Sequence, residues 1–528
     1  MEPRRTLDMK RVVPGLAAVC ILLAYCGLYV FQGKHFADDP GVGWHFKTGE
    51  LILSRGNVPR EDPFLAAATQ PSFGLEVGMQ RRWVCDQWLS DLALYAVRSI
   101  GGYPLVFAFS AGLFIVAFFA VLAPVARAQA RSTLVVLLVS MLGFRLAQVH
   151  FLLRPVLFSI LLFAVVYREA IAIAAQEELS GGACVRRGAR LAGVFLVWAN
   201  LHPAFVEGLL LIALIVPGLA LEGRLSREKC VRIALLLLVC CMATLVNPNG
   251  LELHRSILEL GSDRYLMSLN NEWRPLYERV PVMGFESASF ILVCGVPLVL
   301  GWRQRHALRA GWGVEMCATA VCGLQALSMV RCLPFAALAA IPLAAQTYSS
   351  ALATVRFPPV WNLSRAFFST IERSESARKG WGATACMCSV GGIALTLLLS
   401  HKIPKEWFEP SGQRYDQKMI QAIRASSDAG VILATPDLGG FITETLYPHF
   451  RAVIDDRNTL IGAQFYREYF ESEHSSAERD TFVKSFSVTH IITPRTSDLA
   501  GKEDECDALY VGEQWVVCSV SPARRGQL

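Results

Sequence analysis

Long apolar runs constrain the fold of this chain more than any other feature. Eleven candidate membrane spans lie at about residues 12–31, 103–126, 133–151, 155–174, 190–201, 203–222, 232–247, 286–302, 312–329, 332–347 and 381–400. Runs of this kind are typical of helices that cross a bilayer, where every backbone N–H and C=O must be paired within the helix. Hydrophobic residues make up 53% of the 528 residues and charged residues only 18%. The sequence therefore predicts a mainly α-helical, polytopic membrane protein. The stretch 190–222 is either one long span or two short helices broken at His202-Pro203.

The positions of the basic residues predict how the spans are oriented. With the N-terminus in the cytoplasm, each short inner connection carries arginine or lysine: Arg127 and Arg131; Arg186, Arg187 and Arg190; Arg224, Arg227, Lys229 and Arg232; Arg303, Arg305 and Arg309; and Arg356, Arg365, Arg373, Arg378 and Lys379. This distribution satisfies the positive-inside rule. It explains the net charge of +6 as a signature of topology, so a nucleic-acid partner is not predicted. The first apolar run is interpreted as an uncleaved signal anchor.

The same topology places a first loop of about 32–102, a second of 248–285 and everything after about residue 400 on the outer side. Residues 1–400 are predicted to form the membrane domain and 401–528 a small extracytoplasmic α/β domain. Its predicted strands are 431–435, 451–455, 488–493 and 515–520, with a turn at Gly439-Gly440 and a helix from Phe441 to Tyr447. Cys506 and Cys518 could form a disulfide if this region lies outside the cytoplasm.

Loop one has the pattern of ordered amphipathic structure. Trp44, Phe46, Leu51 and Ile52 predict a short helix that ends at Gly56, a typical C-cap residue. A second predicted helix lies in the membrane interface before span two and includes Trp83, Trp88, Leu89, Leu92 and Leu94.

The pair Asp38-Asp39, directly after the first span, is the leading candidate for chemistry. Carboxylates beside a bilayer are costly unless they face water, are paired or do chemistry. Asp39, with Asp38 as its neighbour, could accept a proton from a hydroxyl nucleophile or position a divalent cation beside a phosphate. The alternative is that both are solvated charges at the end of the span.

Arg154 and Arg331 each lie at the outer end of an apolar span, against the positive-inside trend. A guanidinium group matches phosphate oxygens by bidentate hydrogen bonding, so this pair predicts a clamp for a lipid phosphate. Snorkelling to lipid headgroups, or pairing with Asp38 or Asp39, is the alternative.

Four further residues are candidates for lining the same pocket. Trp44 and His45 follow Asp39 closely, His202 lies at the break after span five, and Glu272 lies in the second outer loop. Each also has a structural interpretation, as an interface anchor, a backbone hydrogen-bonding partner or a surface charge.

Several enzyme classes lack their sequence signatures. The chain has no P-loop, no GxGxxG after a strand, no HExxH and no GxSxG. ATP-driven transport, nucleotide-dependent oxidoreduction and serine hydrolysis therefore have no support, and no cofactor is predicted beyond an open question over a divalent metal. If the chain is a transferase, its donor should be linked to a lipid.

The outer loops resemble a broad group of bacterial polytopic proteins related to the GT-C glycosyltransferases. The resemblance covers most of the chain and rests on Asp39, Trp44-His45-Phe46, Asp62-Pro63-Phe64, Gln87-Trp88-Leu89, Leu153-Arg154-Pro155, Trp198-Ala199-Asn200-Leu201-His202, Asn247-Pro248-Asn249-Gly250, Glu272-Trp273, Asp437-Leu438-Gly439-Gly440 and Ile454-Asp455-Asp456-Arg457. Two positions depart from the group's pattern. Gly41 stands where many members have an Asp, and Asp456 stands where a small residue is usual.

This resemblance implies a membrane-embedded glycosyltransferase that takes a sugar from a polyprenyl-phosphate donor, with an acid in the first outer loop as base or metal ligand. Carried over to this chain, that acid is Asp39. The resemblance also implies a bacterial inner (cytoplasmic) membrane as the location and membrane lipid as the environment, and the sequence names no protein partner. Two other hypotheses stay open: a transporter or flippase of a lipid-linked saccharide, and a non-catalytic assembly protein whose C-terminal domain binds a partner in the cell envelope.

Overall fold

The structure is a computed structural model that describes residues 15–67, 83–178, 180–279, 281–354, 362–377, 380–399, 402, 407–410, 416–496 and 507–521. The helices of its larger part are α1 Leu16–Gln32, α2 Val42–Arg55, α3 Trp88–Ile115, α4 Ala123–Gln129, α5 Thr133–Ala147, α6 Val156–Ala174, α7 Gly181–Leu201, α8 Phe205–Ala213, α9 Ile215–Leu221, α10 Arg227–Thr244, α11 Leu251–Ser262, α12 Arg264–Leu269, α13 Leu276–Arg279, α14 Gly284–Phe290, α15 Val296–Gln304, α16 Trp312–Ser328, α17 Leu333–Thr354, α18 Asn362–Ala377 and α19 Trp381–Leu399. π-Helical segments, Val116–Leu122 and Ile291–Gly295, join α3 to α4 and α14 to α15.

Every predicted span falls on one of these helices. Within the described residues, six helical segments are long and apolar enough to cross a membrane: Trp88–Gln129, Thr133–His150, Val156–Ala174, Gly284–Ala307, Val330–Thr354 and Trp381–Leu399. Two shorter apolar helices are Leu16–Gln32 and Phe205–Leu221. The three other predicted spans correspond to α7, α10 and α16. The chain is thus a polytopic membrane helix bundle, as predicted.

The break predicted at His202-Pro203 is present. The helix α7 ends at Leu201, and His202 has an extended backbone with φ −166° and ψ 142°. The next helix begins at Phe205. The stretch 190–222 is therefore not one continuous helix.

Loop one contains both predicted helices, with one correction. The helix α2 ends at Arg55 and, as predicted, is capped by Gly56, whose positive φ of 70° is the left-handed conformation that favours glycine. The second helix begins at Trp88 and is separated from span two by Gly101 and Gly102, which have non-helical backbone angles. Trp83 is not part of this helix but lies in the irregular stretch before it, with its side chain buried among residues of the C-terminal region.

The C-terminal region is a small α/β unit. Its elements are α20 Gln417–Ser426, β1 Gly430–Leu433, α21 Pro436–Leu446, β2 Phe450–Ala452, α22 Asn458–Ile461, α23 Ala463–His474, α24 Ser476–Ser485, β3 His490–Pro494, β4 Asp507–Val511 and β5 Trp515–Ser519. The sheet has the order β2-β1-β3-β5-β4, with β2, β1 and β3 parallel and β5 antiparallel to both β3 and β4. The four predicted strands are present, and β4 is an additional one. Cys518 is disulfide-bonded, whereas Cys506 lies outside the described residues.

The prediction of a turn at Gly439-Gly440 was wrong, because both glycines lie inside α21. They allow the helix to pack against backbone at unusually short range. A Cβ on Gly440 would clash with the carbonyl oxygen of Pro40, and one on Gly439 with that of Ile454. A Cβ on Gly43 of α2 would clash with the carbonyl oxygen of Gly440. The backbones of α2 and α21 therefore cross with almost no space between them.

Candidate active site

The structure brings Asp39 and Arg154 into direct contact. Asp39 lies between α1 and α2 and is 4% exposed. Its Oδ1 accepts a hydrogen bond from the backbone N–H of Gly41 at 2.9 Å, and its Oδ2 accepts one from Nε of Arg154. Arg154 lies in the turn before α6, which is tied to loop one by a hydrogen bond of 2.8 Å from the Leu153 N–H to the Phe36 carbonyl. Both oxygens of this buried carboxylate are therefore paired.

Glu272 binds Arg154 directly and lies near enough to Arg331 for the charge of that arginine to act on it. It lies in a 3-10 turn, Asn271–Trp273, and accepts a hydrogen bond from Nη1 of Arg154 at 2.5 Å. Burial alone would raise the pKa of Glu272, but the charges of His150, Arg154 and Arg331 lower it to about 2. The guanidinium carbon of Arg331 lies 4.4 Å from the Trp273 ring centroid, a cation–π contact. The carboxylate of Glu272 is thus ionised and holds a cluster of positive charge in place.

His45 is held by a carboxylate from α3. Its Nδ1 lies 2.6 Å from Oδ1 of Asp91, and both side chains are buried. Burial lowers the pKa of His45 to about 3, so the imidazole is neutral at physiological pH. Asp91 fixes the orientation of the ring, and the neighbouring Trp44 ring packs against it with centroids 3.6 Å apart.

Trp44 connects loop one to the C-terminal region. Its indole Nε1 donates a hydrogen bond of 2.9 Å to Oδ1 of Asp456, which is 412 positions away. Burial, followed by the charges of Asp39 and Asp455, raises the pKa of Asp456 to about 7. Gly41 and Asp456, the two positions that depart from the family pattern, are neighbours in space.

Arg457 anchors the segment that carries Asp456. Its guanidinium donates to Asp62 of loop one at 2.6 Å and to Asp455 at 2.7 Å. The same group lies 5.3 Å from the ring centroid of Trp44 and 4.8 Å from that of Trp83. These contacts position Asp456 beside Asp39.

The two remaining candidates have other surroundings. Asp38 pairs with His35 at 3.2 Å, and 26% of its side chain is exposed. His202 is buried at the break after α7, where Nδ1 lies 3.0 Å from Oγ of Ser159 and accepts the backbone N–H of Ala204 at 3.1 Å. These contacts indicate that His202 stabilises the break between α7 and α8.

The sequence analysis did not identify His150 or Asp91 as residues of this cluster. It named Asp456 but did not place it near Asp39. The Nε2 atom of His150 lies 3.7 Å from a carboxylate oxygen of Glu272. Asp91 lies in a helix that reads as an ordinary amphipathic segment, so nothing local marks it. The motif containing Asp456 was visible in the sequence, but its partner Trp44 was not. Among the described residues, no group of three or more His, Cys, Asp or Glu side chains is arranged to hold a metal ion.

Comparisons with known proteins give the fold an independent reference. No family model matches the chain, and no curated protein matches it. Among solved structures, the archaeal oligosaccharyltransferase AglB from Archaeoglobus fulgidus, in complex with an inhibitory peptide and a dolichol-phosphate, matches with a TM-score of 0.57 and 11% identity over 92% of this chain and 69% of that chain.

ArnT from Cupriavidus metallidurans matches in the apo state with a TM-score of 0.52 and 12% identity, over 96% of this chain and 98% of that chain. Its structure bound to undecaprenyl phosphate matches with a TM-score of 0.50 at the same identity and coverage. At such identities the likeness is one of fold. AglB and ArnT are both GT-C glycosyltransferases, and this chain has the fold of that class.

Proposed function

We propose that this chain is a membrane-embedded glycosyltransferase that moves a sugar from a polyprenyl-phosphate donor to an acceptor hydroxyl on the extracytoplasmic side. The observation that carries the proposal is the cluster of the buried Asp39 with the half-buried Arg154 and Glu272, and with Arg331 beside it. In it a carboxylate from loop one meets cationic groups from the ends of two membrane helices. The structural neighbours, whose structures include dolichol-phosphate and undecaprenyl phosphate, support the donor class.

The cluster has the groups that such a transfer needs. The acceptor hydroxyl attacks the anomeric carbon, and the bond from that carbon to the phosphate oxygen breaks. The phosphate then leaves as an anion, which cationic groups stabilise more effectively than a proton donor does. Arg154 and Arg331 supply that charge, while Asp39 deprotonates or orients the acceptor hydroxyl.

Each of the remaining candidate residues has a role that follows from its contacts. Glu272 holds Arg154 and places a negative charge near Arg331, while the rings of Trp44 and His45 pack together close to Asp39. His202 acts at a distance, by fixing the break after α7. The topology predicted from the basic residues supports an extracytoplasmic site in a bacterial inner membrane, and the disulfide-bonded Cys518 supports an oxidising compartment for the C-terminal region.

Mass spectrometry of envelope glycans and glycoproteins tests this function. We compare wild-type cells, a deletion strain, and the deletion strain carrying Asp39→Asn or the control Glu50→Gln. Glu50 lies on the same helix as Trp44 and pairs with Lys47 at 2.8 Å near the surface. All variants are checked for equal amounts in the membrane.

We expect one sugar to be lost in the deletion strain and in the Asp39→Asn strain, and retained with Glu50→Gln. If the chain were instead a flippase, solubilised membranes of the deletion strain would still transfer the sugar, because detergent removes the need to move the donor across the bilayer. Unchanged glycans in the deletion strain would refute the transferase, and normal transfer by Asp39→Asn would refute the role of Asp39.

A further inference from the structure

A second carboxylate lies next to Asp39. The Oδ1 atom of Asp39 would be 3.1 Å, and the Oδ2 atom of Asp456 3.2 Å, from a Cβ placed on Gly41. Both carboxylate oxygens therefore face the same backbone position, where a side chain would be crowded by them and by the Trp44 indole nitrogen at 3.1 Å. Because Gly41 has no side chain to cover these two oxygens, an acceptor hydroxyl that approaches over Gly41 comes close to both carboxylates.

The two carboxylates differ in how their oxygens are occupied. Asp39 is paired at both, through the Gly41 N–H and the Arg154 guanidinium. Asp456 accepts the Trp44 indole N–H at Oδ1, whereas Oδ2 accepts no hydrogen bond from any described residue. A lone pair that is free to take a proton is thus found on Asp456.

Resting on the proposed glycosyltransferase function, we propose that Asp456, contributed by the C-terminal region, is the catalytic proton acceptor and that Asp39 orients the acceptor hydroxyl. In this step the hydroxyl oxygen forms its bond to the anomeric carbon, and its proton passes to Oδ2 of Asp456. The sugar–phosphate C–O bond breaks, and its electron pair leaves on the polyprenyl phosphate beside Arg154 and Arg331. The C-terminal region thereby completes the active site.

The charges around Asp456 suit this role. Burial and the charges of Asp39 and Asp455 favour its protonated form, while Arg154 opposes them, and the resulting pKa is about 7. Arg457 and Tyr466 also face this segment. A general base works best when its pKa lies near the working pH, because it is then both ionised before the step and able to hold the proton after it.

The rate of transfer as a function of pH tests the proposal. Purified full-length protein is mixed with heat-treated, detergent-solubilised membranes of the deletion strain, which supply the accumulated donor and the unmodified acceptor. Transfer of the sugar identified by deletion is followed by mass spectrometry from pH 5.5 to 8.5. The variants are Asp456→Asn, Asp456→Glu and the control Glu50→Gln.

We expect the wild-type rate to rise with pH through a midpoint near 7. Asp456→Asn should lower the rate about 10²- to 10⁴-fold and remove this rise. Asp456→Glu should keep part of the rate, with a shifted midpoint. Asp86, whose pKa burial raises to about 6, is unchanged in these variants and cannot produce the difference.

Two results would overturn the assignment of Asp456 while leaving the glycosyltransferase function intact. One is an Asp456→Asn variant with the wild-type rate, and the other is a reduced rate whose pH dependence is unchanged, which would make Asp456 a positioning residue. If Asp456→Asn does not fold, the midpoint of Asp456→Glu decides in its place. Absence of transfer by the wild-type protein would instead overturn the proposed function and this inference together.

Discussion

The guanidinium group of Arg154 is shared between carboxylates from two distant parts of the sequence, Asp39 and Glu272. A half-buried arginine of this kind would be costly if it were unpaired, and either carboxylate alone would leave some of its N–H donors without an acceptor. The sequence indicated that Arg154 needed a partner, and pairing with Asp39 was one of the alternatives. The second partner, Glu272, lies between α12 and α13.

We predict that Arg154→Lys lowers transfer about 10- to 100-fold. Lysine keeps the charge but lacks the planar fork, so one ammonium group cannot reproduce the contacts with both Asp39 and Glu272. The measurement is the transfer assay with deletion-strain membranes described above. Arg255→Lys serves as the control, because Arg255 is exposed and pairs with Glu252 one helical turn away. Equal rates for Arg154→Lys and wild type would show that charge alone is sufficient.

We also predict that Asp456→Asn makes the protein more stable at pH 8 than the wild type. The pKa of Asp456 is about 7 in the folded protein and near its ordinary value of 3.8 when unfolded. Its contribution to stability is therefore greatest below pH 3.8 and is lost as pH rises through 7. Asparagine is neutral throughout, so the gain should be larger at pH 8 than at pH 5, where only part of the stabilisation has been lost. Thermal unfolding of the detergent-solubilised variant and wild type, followed by tryptophan fluorescence, measures the gain at pH 5 and at pH 8. An equal gain at the two pH values would contradict the assigned ionisation of Asp456.

How much of the site could be predicted differs from residue to residue. Asp39 and Arg154 were recognisable because a charge at the end of an apolar span stands out against its surroundings. Glu272 was a weaker candidate, identified from its place in the second loop. Asp91 lies in the first turn of α3, where an acidic residue is common, and His150 lies in a short 3-10 turn after α5, so neither was recognised. The contact between Trp44 and Asp456 depends on how the C-terminal region docks, which no local pattern encodes.

At the scale of secondary structure, the crossing of α2 and α21 positions Trp44 against the segment that carries Asp456. The pair Gly439-Gly440 was interpreted as a turn, because adjacent glycines usually mark one. Here both glycines lie inside α21 and allow it to pack closely against α2. Gly440 packs against Pro40, and Gly43 of α2 packs against Gly440. Local sequence cannot separate these two uses of glycine, since the difference lies in a partner helix hundreds of residues away. The end of α2 at Gly56 was predictable because a C-cap is a local feature.

We predict that Gly440→Ala reduces transfer and lowers the thermal midpoint, at a cost of about 1–3 kcal/mol for overpacking. The new methyl group would clash with the Pro40 carbonyl, so α21 must move away from α2 and carry Asp456 with it. Gly27→Ala is the matched control, because Gly27 lies in the helix α1 and a Cβ there meets no atom within 4 Å. Both variants are assayed for transfer and thermal unfolding. Similar results for the two would show that the crossing tolerates an extra methyl group.

At the scale of the whole molecule, loop one and the C-terminal region share one hydrophobic core. Phe64, Leu65 and Trp83 are buried in the core of the C-terminal sheet unit, and Leu65 pairs with Ala452 in a parallel bridge. The composition of the sequence indicated a polar domain after residue 400, and it indicated an ordered loop one. It did not indicate that the two fold together, because hydrophobic residues in a short loop fit an interfacial helix equally well.

We therefore predict that residues 401–528 expressed alone do not fold cooperatively. Without Phe64, Leu65 and Trp83 the sheet unit exposes the apolar surface that they cover, and Arg457 loses its partner Asp62 at the same time. Removing one partner of a buried ion pair costs about 3–5 kcal/mol, which is a large part of the stability of a small domain. Heat-capacity and chemical-denaturation profiles of the isolated region test this, with the full-length protein as the reference. A sharp unfolding transition in the isolated region would show that it is an autonomous domain, as a non-catalytic assembly protein would require.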